Sequence, residues 1–75
     1  MTYGEKAVGL TFNPSGDDDV AAVKRDYAKI IDMLDELRRT AQAASQFEQA
    51  RLASIAITEA QAAQMWAVKA LTWKD

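Results

Sequence analysis

Seventy-five residues make one domain close to the lower size limit for a self-sufficient hydrophobic core. The chain has no cysteine and no histidine, which removes disulfides, thiolate metal sites, the commonest general base and the commonest neutral metal ligand. A net charge of -2 offers no bulk attraction to DNA, RNA or an anionic membrane.

Residues Met1–Gly16, MTYGEKAVGLTFNPSG, hold all three glycines, the single proline and two of the six aromatic residues. Glu5–Val8 has room for about one helical turn between Gly4 and Gly9. Asn13-Pro14-Ser15-Gly16 reads as a turn, because Pro fixes φ and Gly accepts positive φ. Such a segment is too short to fold alone, so it must lie on a helical scaffold, its own or a neighbour's. Asp17, Asp18 and Asp19 follow. An N-cap with first-turn carboxylates explains them better than a metal site, since no further ligands cluster nearby.

The first long helix is expected over residues 17–42. Val20, Val23, Tyr27, Ile30, Ile31, Leu34 and Leu37 share one face of a 3.6-residue period. Lys24, Asp35 and Arg38 flank that stripe, while Arg25, Lys29, Asp32 and Glu36 fall on the opposite, solvated side. Asp35 and Arg39 form an i,i+4 pair. Thr40–Ala44 is a short connection, which makes the two helices antiparallel.

The second long helix is expected over residues 45–73, started by a Ser45/Glu48 capping box and running on the order of 40 Å. One sector collects Leu52, Ile55, Ala56, Ala60, Ala63, Trp66, Ala67, Ala70 and Leu71; a second carries Ile57, Met65 and Val68. A helix apolar on two sides needs neighbours on two sides. The chain supplies one long partner, so the other neighbour is expected to be a second copy of the protein. Glu59 falls inside the larger sector; it reads as a ligand or proton-transfer group, or, more simply, as a structural acid needing a partner. Met65, Trp66 and Trp73 could box a ligand, but that spacing more often marks core or subunit contact. Gln61 and Gln64 read as surface or interface amides. No apolar run is long enough to span a membrane and the opening residues do not form a signal peptide, so an intracellular soluble protein is expected.

Lys6, Lys24 and Arg25 accompany the Tyr3/Phe12 segment. Cations beside aromatic rings suit an anionic ligand with flat bases, though hydrophobic docking beside solvated lysines explains the same residues.

The stretch Tyr3–Gly16, YGEKAVGLTFNPSG, resembles the N-terminal signature of small bacteriophage proteins of the Acb2 group. Val20, Val23 and Lys24 match the opening of that group's first long helix, and Thr58-Glu59, Gln61, Met65 and Lys69-Ala70 match its second. The resemblance implies an all-α helical hairpin with a short N-terminal helix, assembled as a homohexamer. It implies an anti-CBASS sponge, acting in the host bacterial cytoplasm, that holds cyclic dinucleotide messengers without cleaving them, in pockets shared by two protomers. It calls for no cofactor, metal or catalytic residue. The phosphate-binding role falls on Lys24 and the base-stacking role on Phe12 or Tyr3, with Gly4, Lys6, Asn13 and Pro14 in the same ligand-binding segment. Some members also hold cyclic trinucleotides at a second site, with an arginine just before the helix-two threonine. That position is Ile57 here, so such binding is either lost or uses Thr58, Gln61 and another cation such as Lys69. The competing reading is a non-catalytic oligomeric hairpin that docks a host or phage protein.

Overall fold

The computed structural model describes residues 1–75 as three helices, α1 (Tyr3–Val8), α2 (Asp18–Ala43) and α3 (Phe47–Thr72), with no strand. The fold is all-α: α2 and α3 form an antiparallel hairpin, and α1 lies chiefly along α2. Against the expected spans, α2 is shifted by one residue, and α3 starts two residues later and ends one earlier. No helix is long and apolar enough to cross a membrane.

Local chemistry sets each boundary. Thr2 and Glu5 form a reciprocal capping box for α1: the Thr2 hydroxyl accepts from the Glu5 amide (3.1 Å) and the Glu5 carboxylate from the Thr2 amide (2.7 Å). Gly9 at φ 63 ends the turn, with its own amide bonded to Lys6 O and that of Leu10 to Glu5 O. Asp17 caps α2 by accepting from the Asp19 amide (2.7 Å), and Asp18 and Asp19 occupy the first turn.

The expected Ser45/Glu48 box does not form. Ser45 instead closes α2 from the left-handed region (φ 58), with Ser45 N–H on Gln42 O and Gln46 N–H on Ala41 O. That is a Schellman motif, and it leaves Gln46 as an N-cap with no side-chain bond. The Glu48 carboxylate turns to Arg51 (2.9 Å to Nε), which holds it below the usual carboxylate range.

The seam between α2 and α3 is built from small residues and a few branched ones. Ala28, Ile31, Ala41, Ala50, Ala53 and Ile57 are buried there, and Val8 of α1 joins Ala28, Ile31 and Ile57 in the central cluster. Alanines let the helix axes approach, so a thin seam can still be well packed. On α3 this seam uses the expected minor sector at Ile57. The larger sector faces outward: Leu52, Ile55, Ala63, Trp66, Ala70 and Leu71 are exposed. Ile30 and Leu37 of α2 are exposed too, so the seven-residue stripe is only partly buried, and Met33 beside it is exposed as well. Glu59 lies in the outward sector and is exposed, so water solvates the carboxylate that was expected to need a partner.

Two further expectations change. Asp32 is not on an idle solvated face, because its Oδ1 accepts the Gly4 amide at 2.7 Å. Lys24 does not flank the stripe but is buried. The expected Asp35–Arg39 pair is present at 3.3 Å, beside a tighter Asp35–Arg38 pair at 2.7 Å.

Two substitutions test this account. A Cβ on Gly4 would overlap the Ala28 carbonyl and stand 2.8 Å from Asp32 Oδ1. Gly4→Ala should therefore lift α1 from α2 and lower stability by about 1–3 kcal/mol in urea titration. Ser45→Gly removes the left-handed Cβ penalty and should raise stability by about 1 kcal/mol in the same assay.

Candidate functional site

The site grows from a lysine buried without a carboxylate. Lys24 is 5 % exposed, and its ammonium makes no ion pair. Its Nζ donates to Gly9 O at 3.0 Å and also to Phe12 O. A buried cation is tolerated only when its donors are met. Here the carbonyls of the α1–α2 loop meet two of the three, so the charge ties the loop to α2 while one donor remains.

That loop presents Phe12. Its ring is 72 % exposed and stands 5.5 Å from Lys24 Nζ. An exposed ring held in place is a different object from an exposed ring on a mobile tail, and this one is held. Gly16 N–H bonds Asn13 O at 3.1 Å, closing the Asn13–Gly16 turn, with Gly16 at φ 66. Asn13 Nδ2 donates to Asp17 O (2.9 Å) and Ser15 Oγ to Asn13 Oδ1 (2.7 Å). Asn13 thus acts as the brace of the turn, and Pro14 stiffens it.

Phe12, Asn13, Pro14 and Lys24 line one groove of about 260 Å³, closed on the far side by Val68 and Thr72 of α3. Lys6 belongs to an adjoining depression of about 420 Å³, where it meets Lys24, Gln64, Met65 and Val68. Lys24 and Val68 border both, so the two hollows are contiguous. Four of the other expected ligand-binding residues, Lys6, Phe12, Asn13 and Pro14, therefore converge around Lys24.

Tyr3 and Gly4 do not join them. Gly4 is buried as the contact point of α1 on α2. Tyr3 lies under Arg38, whose guanidinium is 5.5 Å from the ring centroid. Bonding to Asp35, then to Tyr3, raises the Arg38 pKa above its ordinary value. Arg38 and Lys24 are separated by roughly 20 Å along α2. Of the two aromatics left open for stacking, Phe12 is the one beside Lys24.

The expected second set stays dispersed within one chain. Thr58 Oγ1 is bonded to Ser54 O at 3.2 Å, Gln61 is half-buried, and Lys69 is exposed. Ile57 points into the helix seam at 2 % exposure, so no cation could replace it without opening the core. Lys69 instead stands over Trp66 (5.2 Å) and Trp73 (5.8 Å), next to an apolar hollow lined by Ala62, Met65, Trp66 and Lys69. Trp66, Trp73 and Met65 are all exposed, so they are not core of this chain.

The wall that α3 supplies, including Gln64, Val68 and Thr72, lies outside the site residues that the sequence suggested. Their signal is the spacing, since Ile57, Gln64 and Val68 fall on one row of α3 at steps of seven and four.

If Lys24 is the clasp of the loop, Lys24→Met should speed amide hydrogen exchange at Phe12 and Gly16 about tenfold or more while α3 amides near Ile57 stay protected. Equal protection of the loop in both proteins would show that Asn13 alone suffices.

Neither the curated proteins nor the solved structures include a significant match to this sequence. A family model does match: the hairpin domain of Acb2/Tad1, over residues 5–72, a span that takes in most of α1, the Phe12 loop and both long helices. By that match, and with the helical hairpin now described, the chain belongs to the Acb2/Tad1 hairpin family.

Proposed function

We propose that this protein is an anti-CBASS sponge, which captures cyclic dinucleotide second messengers in the host bacterial cytoplasm and withholds them without cleavage. The observation that carries the reading is the pairing of Lys24 with Phe12 on the rim of one groove, in a chain whose family is of the sponge type. A cyclic dinucleotide offers phosphates for a cation and bases for an aromatic face. Lys24 has a donor to spare and no carboxylate to compete for it.

One chain supplies only part of such a site. The groove and the depression beside it are open hollows, and exposed Met65 stands at the depression. The outward apolar sector of α3 and the exposed Ile30, Met33 and Leu37 of α2 call for a covering partner. A second copy covers them most economically, and a twofold contact presents each Lys24 and Phe12 twice to a ligand with its own approximate twofold character. Homo-oligomers, including the hexamer implied by the resemblance, satisfy this. Sequestration demands affinity rather than turnover, so it asks for no nucleophile, base or metal.

The alternative, an oligomeric hairpin that docks a host or phage protein, draws on the same exposed Trp66 and Met65. The two readings part at Phe12. Its ring supports no core, so Phe12→Ala should leave helicity and assembly unchanged. Under the sponge reading it weakens binding by at least about tenfold, from the usual worth of base–aromatic stacking. Calorimetry with a panel of cyclic di- and trinucleotides checks both proteins, and sedimentation reports assembly. Binding to at least one ring, released intact after heat denaturation, is the expected result. No binding to any ring sinks the sponge reading, and a monomer that still binds sinks the shared pocket.

A further inference from the structure

Gln64 sits where α3 meets α2 and the N-terminal segment. It is 5 % exposed, as buried as Lys24. A buried amide is costly unless its donor and acceptor are met, and a methionine or leucine would fill the same space without that cost. Gln64 makes no side-chain hydrogen bond within the chain, yet no fully enclosed side-chain nitrogen or oxygen is left unbonded. Its amide must therefore reach the open side, and that side is the depression it lines with Lys6, Lys24, Met65 and Val68. The amide is a fixed polar group on the wall of a hollow that shares Lys24 with the Phe12 groove.

We infer that Gln64 is the base-reading residue of this site and that it selects adenine. The inference rests on the messenger-binding reading above and names the base it takes. A carboxamide carries a donor and an acceptor side by side. Adenine matches that pair bidentately, through its amino group and a neighbouring ring nitrogen. The corresponding edge of guanine shows two acceptors, of which a carboxamide meets one. With a phosphate on Lys24, one base lies toward Phe12, where stacking is indifferent to its identity. The side toward Gln64 is where identity can be read. Burial makes the choice sharper, because a mismatched base leaves the amide desolvated and unpaired.

The test is calorimetry of the intact protein with cyclic di-AMP and cyclic di-GMP. The wild type should bind cyclic di-AMP about tenfold or more tightly, the usual worth of one bidentate base contact. Gln64→Met keeps the volume and should equalise the two affinities, with binding through Lys24 and Phe12 retained and the melting temperature little changed. Gln64→Glu keeps the shape but has only acceptors, and should lose the adenine preference as well. A wild type that binds both rings equally, or a Gln64→Met protein that keeps the preference, overturns the role of Gln64 alone. Failure of the wild type to bind any ring overturns the messenger-binding reading instead. Should Gln64→Met not fold, the wild-type preference and Gln64→Glu decide the matter.

Discussion

The molecule is long and thin, 48 × 24 × 12 Å, and two of its three helices run its length. The two long helices lie side by side as one layer, and the short α1 packs on α2 and reaches α3 through Val8. Domains ordinarily bury apolar surface between two layers. Two helices in one layer bury little beyond the seam between them, which here is Ala28, Ile31, Ala53 and Ile57 with Val8 of α1 packed onto it. Only 11 of 75 residues are buried, and the broad faces keep Met33, Leu52, Ile55 and Trp66 in water. This constraint links the fold to the proposed assembly. A hairpin cannot wrap round its own broad faces, however it is sequenced, and the proposed assembly would match their apolar content from outside the chain.

The same thinness explains how the N-terminal segment is held. A six-residue helix has too little area to dock by apolar contact alone. It is pinned instead at two polar points on α2. At one end the Gly4 amide meets Asp32, in a contact that only glycine permits; at the other, Lys24 grips the carbonyls of Gly9 and Phe12. Asn13 then sets the turn that follows. Phe12 is exposed because the backbone around it is fixed. Holding the ring in place before any ligand arrives reduces the ordering cost of binding.

The periodicity of α2 and the two-sided greasiness of α3 were legible in the residues, because both follow from a 3.6-residue repeat. Which side of α3 faces α2 was not. Leu52, Ile55 and Trp66 look like the stronger core, but a close seam between helices favours Ala50, Ala53 and Ile57, and bulky side chains would hold the axes apart. The capping signal was real but misplaced. Ser45–Glu48 and Thr2–Glu5 carry the same S/T-x-x-E spacing, and only Thr2 has the extended backbone that an N-cap requires (ψ 166). Ser45 is already committed to ending α2. At the site, Phe12, Asn13, Pro14 and Lys24 were legible through the family signature. The burial of Lys24 and Gln64 was not, since polar residues on a core row read as solvated until the packing beside them is seen.

Lys24 also says what kind of binder the chain can be. With a net charge of -2, the protein does not draw anionic ligands from a distance, and any gain in association rate from steering is small. Its one buried, carboxylate-free cation acts only at contact range, where a low local dielectric strengthens it. Under the sponge reading, affinity built this way would come from slow release rather than fast capture. Slow release in turn requires walls that close over the ligand. The groove beside Phe12 has a floor in Lys24 and a far wall in Val68 and Thr72, and the mouth is left open by the single layer. Whatever covers the outward face of α3 also lies near this mouth, through Met65 at the rim of the adjoining depression. The exposed apolar surface of the hairpin is thus continuous with the opening of the groove, and under the sponge reading one covering contact would close both.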